Sequence, residues 1–212
     1  MKTIVVLGAG LKTVVALQKK LRKEVRIILI DRNPYHYETM RLYEVASGSA
    51  PYTRMSYELA DVLDKNMNEL VVDQVEKIDL KNKTVELTKH KPISYDYCVV
   101  GLGFVLSSMG IAGAQENALP MSNVKQAQAI RDHIEMRAYV KDHDSQHLSI
   151  VICGAGFQAI ELAGALAQAR PCFAQTAGTD PEKITIKMID GSPRLLPMFQ
   201  GKLLDYAINL SA

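Results

Sequence analysis

Two short apolar runs, Thr3 to Leu7 and Leu148 to Cys153, each stop at a Gly-Ala-Gly triplet and then give way to a helical pattern. In the first copy Leu11, Val14, Val15 and Leu21 fall near one helix face, while Lys12, Lys19, Lys20, Arg22 and Lys23 occupy much of the rest. A second apolar run, Val25 to Ile30, follows and ends at Asp31. In the second copy Gly154-Ala155-Gly156 opens a helix carrying Phe157, Ile160, Glu161, Leu162 and Leu166, and Lys183 to Ile189 ends at Asp190. The order is strand, glycine turn, helix, strand, and the runs read as buried parallel strands.

Such a unit is suited to dinucleotides. Glycines let the backbone turn tightly and approach a pyrophosphate, which rests on the positive N-terminal end of the helix, and the acid closing the second strand accepts hydrogen bonds from the adenosine ribose. Gly8, Gly10 and Asp31 supply this set once; Gly154, Gly156, Ala159 and Asp190 supply it again. Ala159 fits the third small position, whereas the first copy has Thr13 there. Gly154 and Asp190 lie further apart than the usual ~20 residues, an excess expected in a loop around Gly178 to Pro181. One copy would be a weak signal, because glycine turns are common and methyltransferases share the pattern. Two copies suggest two dinucleotides, and the physical reason to hold two is electron transfer between a nicotinamide and a flavin.

Between the copies, Glu69 to Asp79 and Thr84 to Thr88 flank Lys81-Asn82-Lys83, a hairpin signal, and Tyr95 to Gly101 reads as a further buried strand. Pro120 to Asn123 reads as a hinge and Val124 to Tyr139 as a surface helix.

Composition narrows the partners. The 212 residues are 48% hydrophobic and 23% charged, those of an ordinary globular protein, and 25 basic against 23 acidic residues provide no broad cationic face for nucleic acid. The N-terminus lacks a signal peptide's apolar core and cleavage site, which points to the cytoplasm, and no run approaches the ~18 apolar residues of a membrane-spanning helix. Three cysteines, at positions 98, 153 and 172, make neither a disulfide framework nor a zinc cage, and no metal site is expected. Disulfide-reducing flavoproteins place redox cysteines soon after the first ribose-binding acid; here none precedes Cys98, so electrons are expected to leave a flavin directly for an external acceptor. Cys98 and Cys153 read as small buried hydrophobes. Tyr35-His36-Tyr37 reads as loop packing, and His133, His143 and His147 as solvated surface. Glu161 keeps two readings: a carboxylate near a helix N-terminus that faces a nicotinamide, or a polar helix position with no role.

Several segments together carry a family resemblance: Ile4 to Gly10, Asp31-Arg32-Asn33-Pro34-Tyr35-His36-Tyr37, Glu44-Val45-Ala46-Ser47-Gly48, Gly154 to Phe157 with Glu161-Leu162-Ala163-Gly164, and Pro193 to Phe199. The chain resembles the type II NADH dehydrogenases, flavin-dependent NADH:quinone oxidoreductases of the two-dinucleotide-binding-domain superfamily. The resemblance implies an α/β, Rossmann-like FAD/NAD(P)-binding fold with two dinucleotide-binding units, cut short. It implies FAD at Gly8, Ala9, Gly10, Asp31 and Arg32, with the Val75 backbone near the adenine, and NADH at Gly154, Gly156 and Asp190, joined by Ala159 from the motif. Glu161 matches the glutamate that the family places beside the nicotinamide and is the candidate catalytic residue.

Two departures stand out. Family members read Gly-Ala-Gly-aromatic-small-Gly-Leu, whereas Leu11 follows Gly10 directly, and family chains are about twice this length. The expected division is residues 1–120 as the first half of an FAD-binding domain, 121–144 as hinge and linking helix, and 145–212 as the start of an NADH-binding domain. A chain limited to these residues is expected to hold FAD weakly. In the full enzyme, NADH and a quinone are the expected partners, with docking at the inner face of the cell membrane through C-terminal parts beyond this sequence, and with a homodimer left open. The alternatives are a soluble flavin-dependent reductase of the same superfamily, acting on a ferredoxin-like protein or oxygen, and a non-catalytic dinucleotide-binding module.

Overall fold

Ile4, Val5, Val6 and Leu7 are buried, Ile4 at 6% exposure and the other three at 0%, as a strand covered on both faces requires. The structure, a computed structural model, describes residues 1–8, 10–21, 24–64, 66–108, 110–140, 147–193, 196, 201 and 202. In chain order its elements are β1 (Lys2–Leu7), α1 (Leu11–Leu21), β2 (Val25–Asp31), β3 (Tyr35–Tyr37), α2 (Leu42–Ser47), β4 (Ser56–Glu58), α3 (Leu59–Val62), β5 (Glu69–Val72), β6 (Val75–Asp79), β7 (Thr84–Leu87), β8 (Ile93–Ser94), β9 (Tyr97–Val100), α4 (Ala114–Asn117), α5 (Val124–Tyr139), β10 (Leu148–Cys153), α6 (Phe157–Ala177) and β11 (Ile184–Ile189). They group into two compact units, Met1–Tyr37 with Ser56–Val105, and Glu38–Met55 with Leu106–Ala212.

The first unit is built on a parallel sheet of order β5-β2-β1-β9. Side chains alternate across it, so its two faces carry separate cores. Ile4, Val6, Val25, Ile27 and Leu29 meet Val14 of α1 together with Leu59 and Leu63. Val5, Leu7, Ile28, Ile30 and Val71 meet Val85 and Leu87 of the antiparallel sheet β6-β7-β8. Each fully buried leucine or isoleucine of this kind contributes roughly 1.5–3 kcal/mol relative to exposure. The turn at Lys81-Asn82-Lys83 closes the β6–β7 hairpin, with Asp79 Oδ1 accepting the Lys81 and Asn82 N–H groups, each at 2.9 Å.

The second unit pairs β10 with β11 in parallel, from Leu148 opposite Ile184 to Cys153 opposite Ile189. Helix α6 packs against β11, and α2, α5 and α6 pack on one another. Asn123 caps α5 by accepting the Gln126 N–H at 3.0 Å, and that helix buries Val124, Ala127, Ile130, Ile134 and Ala138 while its other face is exposed. Helix α2 ends at Gly48, whose φ of 77° is the left-handed conformation that favours glycine.

Several expectations from the sequence are corrected. Glu69 to Asp79 is two strands, because the chain turns a corner at Asp73-Gln74. Tyr35-His36-Tyr37 is a strand, paired with β4, in place of a loop. The strand in Tyr95 to Gly101 spans only Tyr97–Val100 and is half-exposed, since an edge strand has one neighbour. Cys153 is exposed and Cys98 only half-buried; among the described residues β10 pairs with β11 alone. The excess spacing before Asp190 is taken up by helix, since α6 has 21 residues against 11 in α1 and runs through Pro171 to a left-handed Gly178 cap at φ 62°.

Candidate dinucleotide sites

In the first unit the end of β1 is gripped from both sides. Gly8 donates its N–H to Ile30 O at 2.7 Å, and Gly101 donates its own to Leu7 O at 2.7 Å. Gly8 has φ 81°, and a Cβ placed there would stand 2.2 Å from Gly101 O, so no other residue fits. Gly10 then starts α1, its carbonyl accepting the N–H groups of Thr13 at 2.8 Å and Val14 at 3.0 Å. The first turn of α1 carries no acidic residue, leaving its positive end to an anion.

Asp31 closes β2 next to this turn, and its Oδ1 accepts the Asn33 N–H at 2.8 Å. Its carbonyl accepts the Asp73 N–H at 2.9 Å, which brings the corner leading to half-buried Val75 to the same sheet edge. Gly8, Gly10, Asp31 and Val75 are therefore gathered beyond the carboxyl ends of parallel strands, where open α/β sheets bind ligands. Arg32 is exposed beside them. Ala9 lies outside the described residues.

The second unit repeats the arrangement with a tighter link between turn and acid. Gly154, at φ 112°, donates to Ile189 O at 2.7 Å, and Ala155 donates its N–H to Asp190 Oδ2 at 2.8 Å. Asp190 Oδ1 accepts the Ser192 N–H at 2.7 Å. These two backbone donors, Ser192 first, hold the Asp190 carboxyl below the usual aspartate range. Gly156 caps α6, accepting from Ala159 and Ile160 at 3.1 Å each. A Cβ on Gly154 or Gly156 would meet nothing within 4 Å, so open space lies over the turn. Arg194 and His143 lie outside the described residues; His133 and His147 are exposed.

Glu161, near the start of α6, is half-buried, and its Oε2 atom is buried with no hydrogen-bond partner. Burial pushes its carboxyl up. Tyr43 of α2 lies within its electrostatic reach: burial chiefly, then Glu44 and Glu161, push the Tyr43 hydroxyl up. Gln158 ties α6 to Thr39 O at 3.2 Å. Sequence reasoning missed Tyr43, Gln158 and Asp73, because the partners that mark them, Glu161, Thr39, and Lys89 with His90, are distant in sequence. Among the described residues no group of three or more His, Cys, Asp or Glu is placed to hold a metal, and no helix is long and apolar enough to cross a membrane.

Residues 2–210 match the family model described as pyridine nucleotide-disulphide oxidoreductase. The type II NADH:quinone oxidoreductase of Staphylococcus haemolyticus is 37% identical over 216 residues, an alignment covering 98% of this chain and 54% of that protein. The type II NADH:quinone oxidoreductase of Staphylococcus epidermidis is 38% identical over 215 residues, covering 98% and 53%. The chain thus spans about half the length of the curated relatives it matches. NDH2 from Plasmodium falciparum, solved in complex with NADH, matches in fold with a TM-score of 0.85 over 99% of this chain and 46% of that one, at 20% identity.

Proposed function

The chain belongs to the pyridine nucleotide-disulphide oxidoreductase family, and from that premise we propose that it is the N-terminal portion of an FAD-dependent NADH:quinone oxidoreductase. The observation that carries the reading is the paired turn: Gly8 beside Asp31 and Gly154 beside Asp190, each at the carboxyl end of a parallel strand and each opening a helix. The type II NADH:quinone oxidoreductases of the two staphylococci support the choice of reaction.

The residues fit the two nucleotides. Open space over Gly154 and Gly156 admits the close approach of a pyrophosphate, and no acidic side chain crowds the first turn of α1 or α6. In this reading Gly8, Ala9, Gly10, Asp31 and Arg32 hold FAD, with the Val75 backbone near its adenine, and residues 1–120 open the FAD-binding domain. Residues 121–144 are hinge and linking helix, and 145–212 begin the NADH-binding domain, where Gly154, Gly156 and Ala159 cradle the pyrophosphate of NADH. Asp190 orients the ribose while its two backbone bonds keep the turn closed. Bound FAD supplies the two-electron chemistry that takes hydride from NADH and passes electrons to a quinone. Glu161 sits beside the nicotinamide, where an unpaired carboxyl raised by burial can hold or release a proton at Oε2. Docking at the inner face of the cell membrane, and any homodimer, belong to the full-length enzyme.

The full-length enzyme that contains these residues, produced with FAD, is expected to show flavin absorption and to oxidise NADH with a short-chain quinone as acceptor. A preparation that binds neither NADH nor FAD overturns the reading.

A further inference from the structure

The Asp73 side chain is completely buried, yet no part of the dinucleotide motif accounts for it. Its carboxylate collects four donors. Oδ1 accepts the Gln74 N–H at 2.8 Å; Oδ2 accepts the Lys89 and His90 N–H groups at 2.9 Å each and faces His90 Nδ1 at 2.7 Å. Its own N–H donates to Asp31 O at 2.9 Å. Next to it, Gln74 O accepts the Thr88 N–H at 3.1 Å. Asp73 thus ties three pieces of chain together: its backbone N–H holds the end of β2 at Asp31, and its carboxylate joins the corner between β5 and β6 to the turn after β7.

Burying a charge is costly unless donors surround it, and a corner between two strands can be made with a glycine or an asparagine. The position explains the cost. Asp73 stands two residues before Val75, and through its N–H it is bonded to the residue that closes β2. We propose that Asp73, braced by His90, is a positioning residue that fixes the Val75 backbone relative to Asp31, and so shapes the part of the first site that receives the adenosine half of its dinucleotide. The inference rests on the reading of that site given above. His90 Nδ1 carries the proton in this arrangement, since the carboxylate can only accept.

The test is AMP, the adenosine half of FAD, titrated into the purified protein and followed by backbone amide shifts, with parallel FAD titrations. In the wild type, AMP is expected to shift the amides of Asp31, Gln74 and Val75. Asp73→Asn retains the side-chain shape but turns an NH2 group or a weaker oxygen toward the Lys89 and His90 donors. It should weaken AMP and FAD binding at least tenfold, measured well below the variant's unfolding temperature so that only folded protein is compared. His90→Ala keeps the carboxylate and its three backbone donors, and it should lose affinity by a smaller factor while retaining wild-type shifts across β1 and β2; it also serves if Asp73→Asn does not fold. Undiminished AMP affinity in folded variants, beside clear wild-type binding, overturns the positioning role alone. No AMP or FAD binding by the wild type overturns the cofactor reading, and this inference with it.

Discussion

The Ala155 N–H and the Asp190 carboxylate stand 2.8 Å apart, so the acid expected to orient a ribose also closes the glycine turn that precedes it. One carboxylate serves both the strand end and the loop: Oδ2 accepts the Ala155 N–H and Oδ1 the Ser192 N–H.

In the proposed reading Asp190 sets nucleotide choice as well as turn geometry. NADH is expected to bind in preference to NADPH, because a carboxylate accepts from a ribose 2′-hydroxyl and repels a 2′-phosphate. Asp190→Asn should weaken NADH binding by about tenfold, the order of a charge-assisted hydrogen bond, and narrow the gap to NADPH. Fluorescence titration with both nucleotides is the measurement; wild-type protein that binds NADPH as tightly as NADH contradicts the assignment.

The glycines of the two turns differ in the space around them. Gly8→Ala forces a Cβ against Gly101 O at φ 81°, and strain and overlap together should cost roughly 2–5 kcal/mol of stability. Gly156→Ala has φ −78° and open space, so its stability should stay within about 1 kcal/mol of wild type. Its added methyl would nevertheless lie where a pyrophosphate approaches, and NADH binding should fall. Urea melts paired with NADH titration separate the two effects, and equal destabilisation by both changes would refute the distinction.

Glu161 offers a pH signature. Burial raises its folded-state pKa above the unfolded one, so the destabilising penalty is absent below the unfolded value and fully present above the folded value. Glu161→Gln removes that penalty. The variant should be at least as stable as wild type at neutral pH and should show a flatter stability profile through the mildly acidic range, while NADH oxidation by the full-length enzyme slows. Unchanged kinetics would leave Glu161 a bystander.

Acid should unfold the first unit by a definable route. Burial raises the Asp73 carboxyl, but its bonds from His90, Lys89 and Gln74 more than offset this and hold it well below the aspartate range; Asp79, bonded to Asn82, and Asp96, bonded to Lys2, are lowered as well. Carboxyls lowered on folding stabilise at pH above their unfolded values and lose that contribution as pH falls through the folded ones. The urea midpoint should stay level from neutrality to about pH 5 and drop below about pH 4. Asp73→Asn should shrink that drop.

Both strand-turn-helix-strand units were legible in the sequence because their signals are local. The apolar runs, the glycines and the terminal acids fall within β1 to β2 and β10 to β11, and the apolar face of α5 follows its own helical period. What escaped depends on distant partners. Val71 and Val72 lead toward Val75 without a visible break, and the corner exists because Asp73 binds Lys89 and His90. Cys153 reads as buried from its apolar neighbours, but exposure is decided by which strands lie alongside. The unpaired Oε2 of Glu161 is likewise a product of tertiary burial, which helix periodicity does not encode.

The order β5-β2-β1-β9 also sets a timetable for folding during synthesis. β1 pairs with β2 as soon as both have left the ribosome, but its other edge waits for β9, and the Thr3 N–H meets its Asp96 acceptor only across a separation of 93 residues. The Gly8 turn, which needs Gly101 as its second wall, is then expected to lock late in the folding of the first unit. A chain in which β1 has paired with β2 but not yet with β9 has an open apolar edge on its central strand, the kind of edge on which pairing with another chain starts.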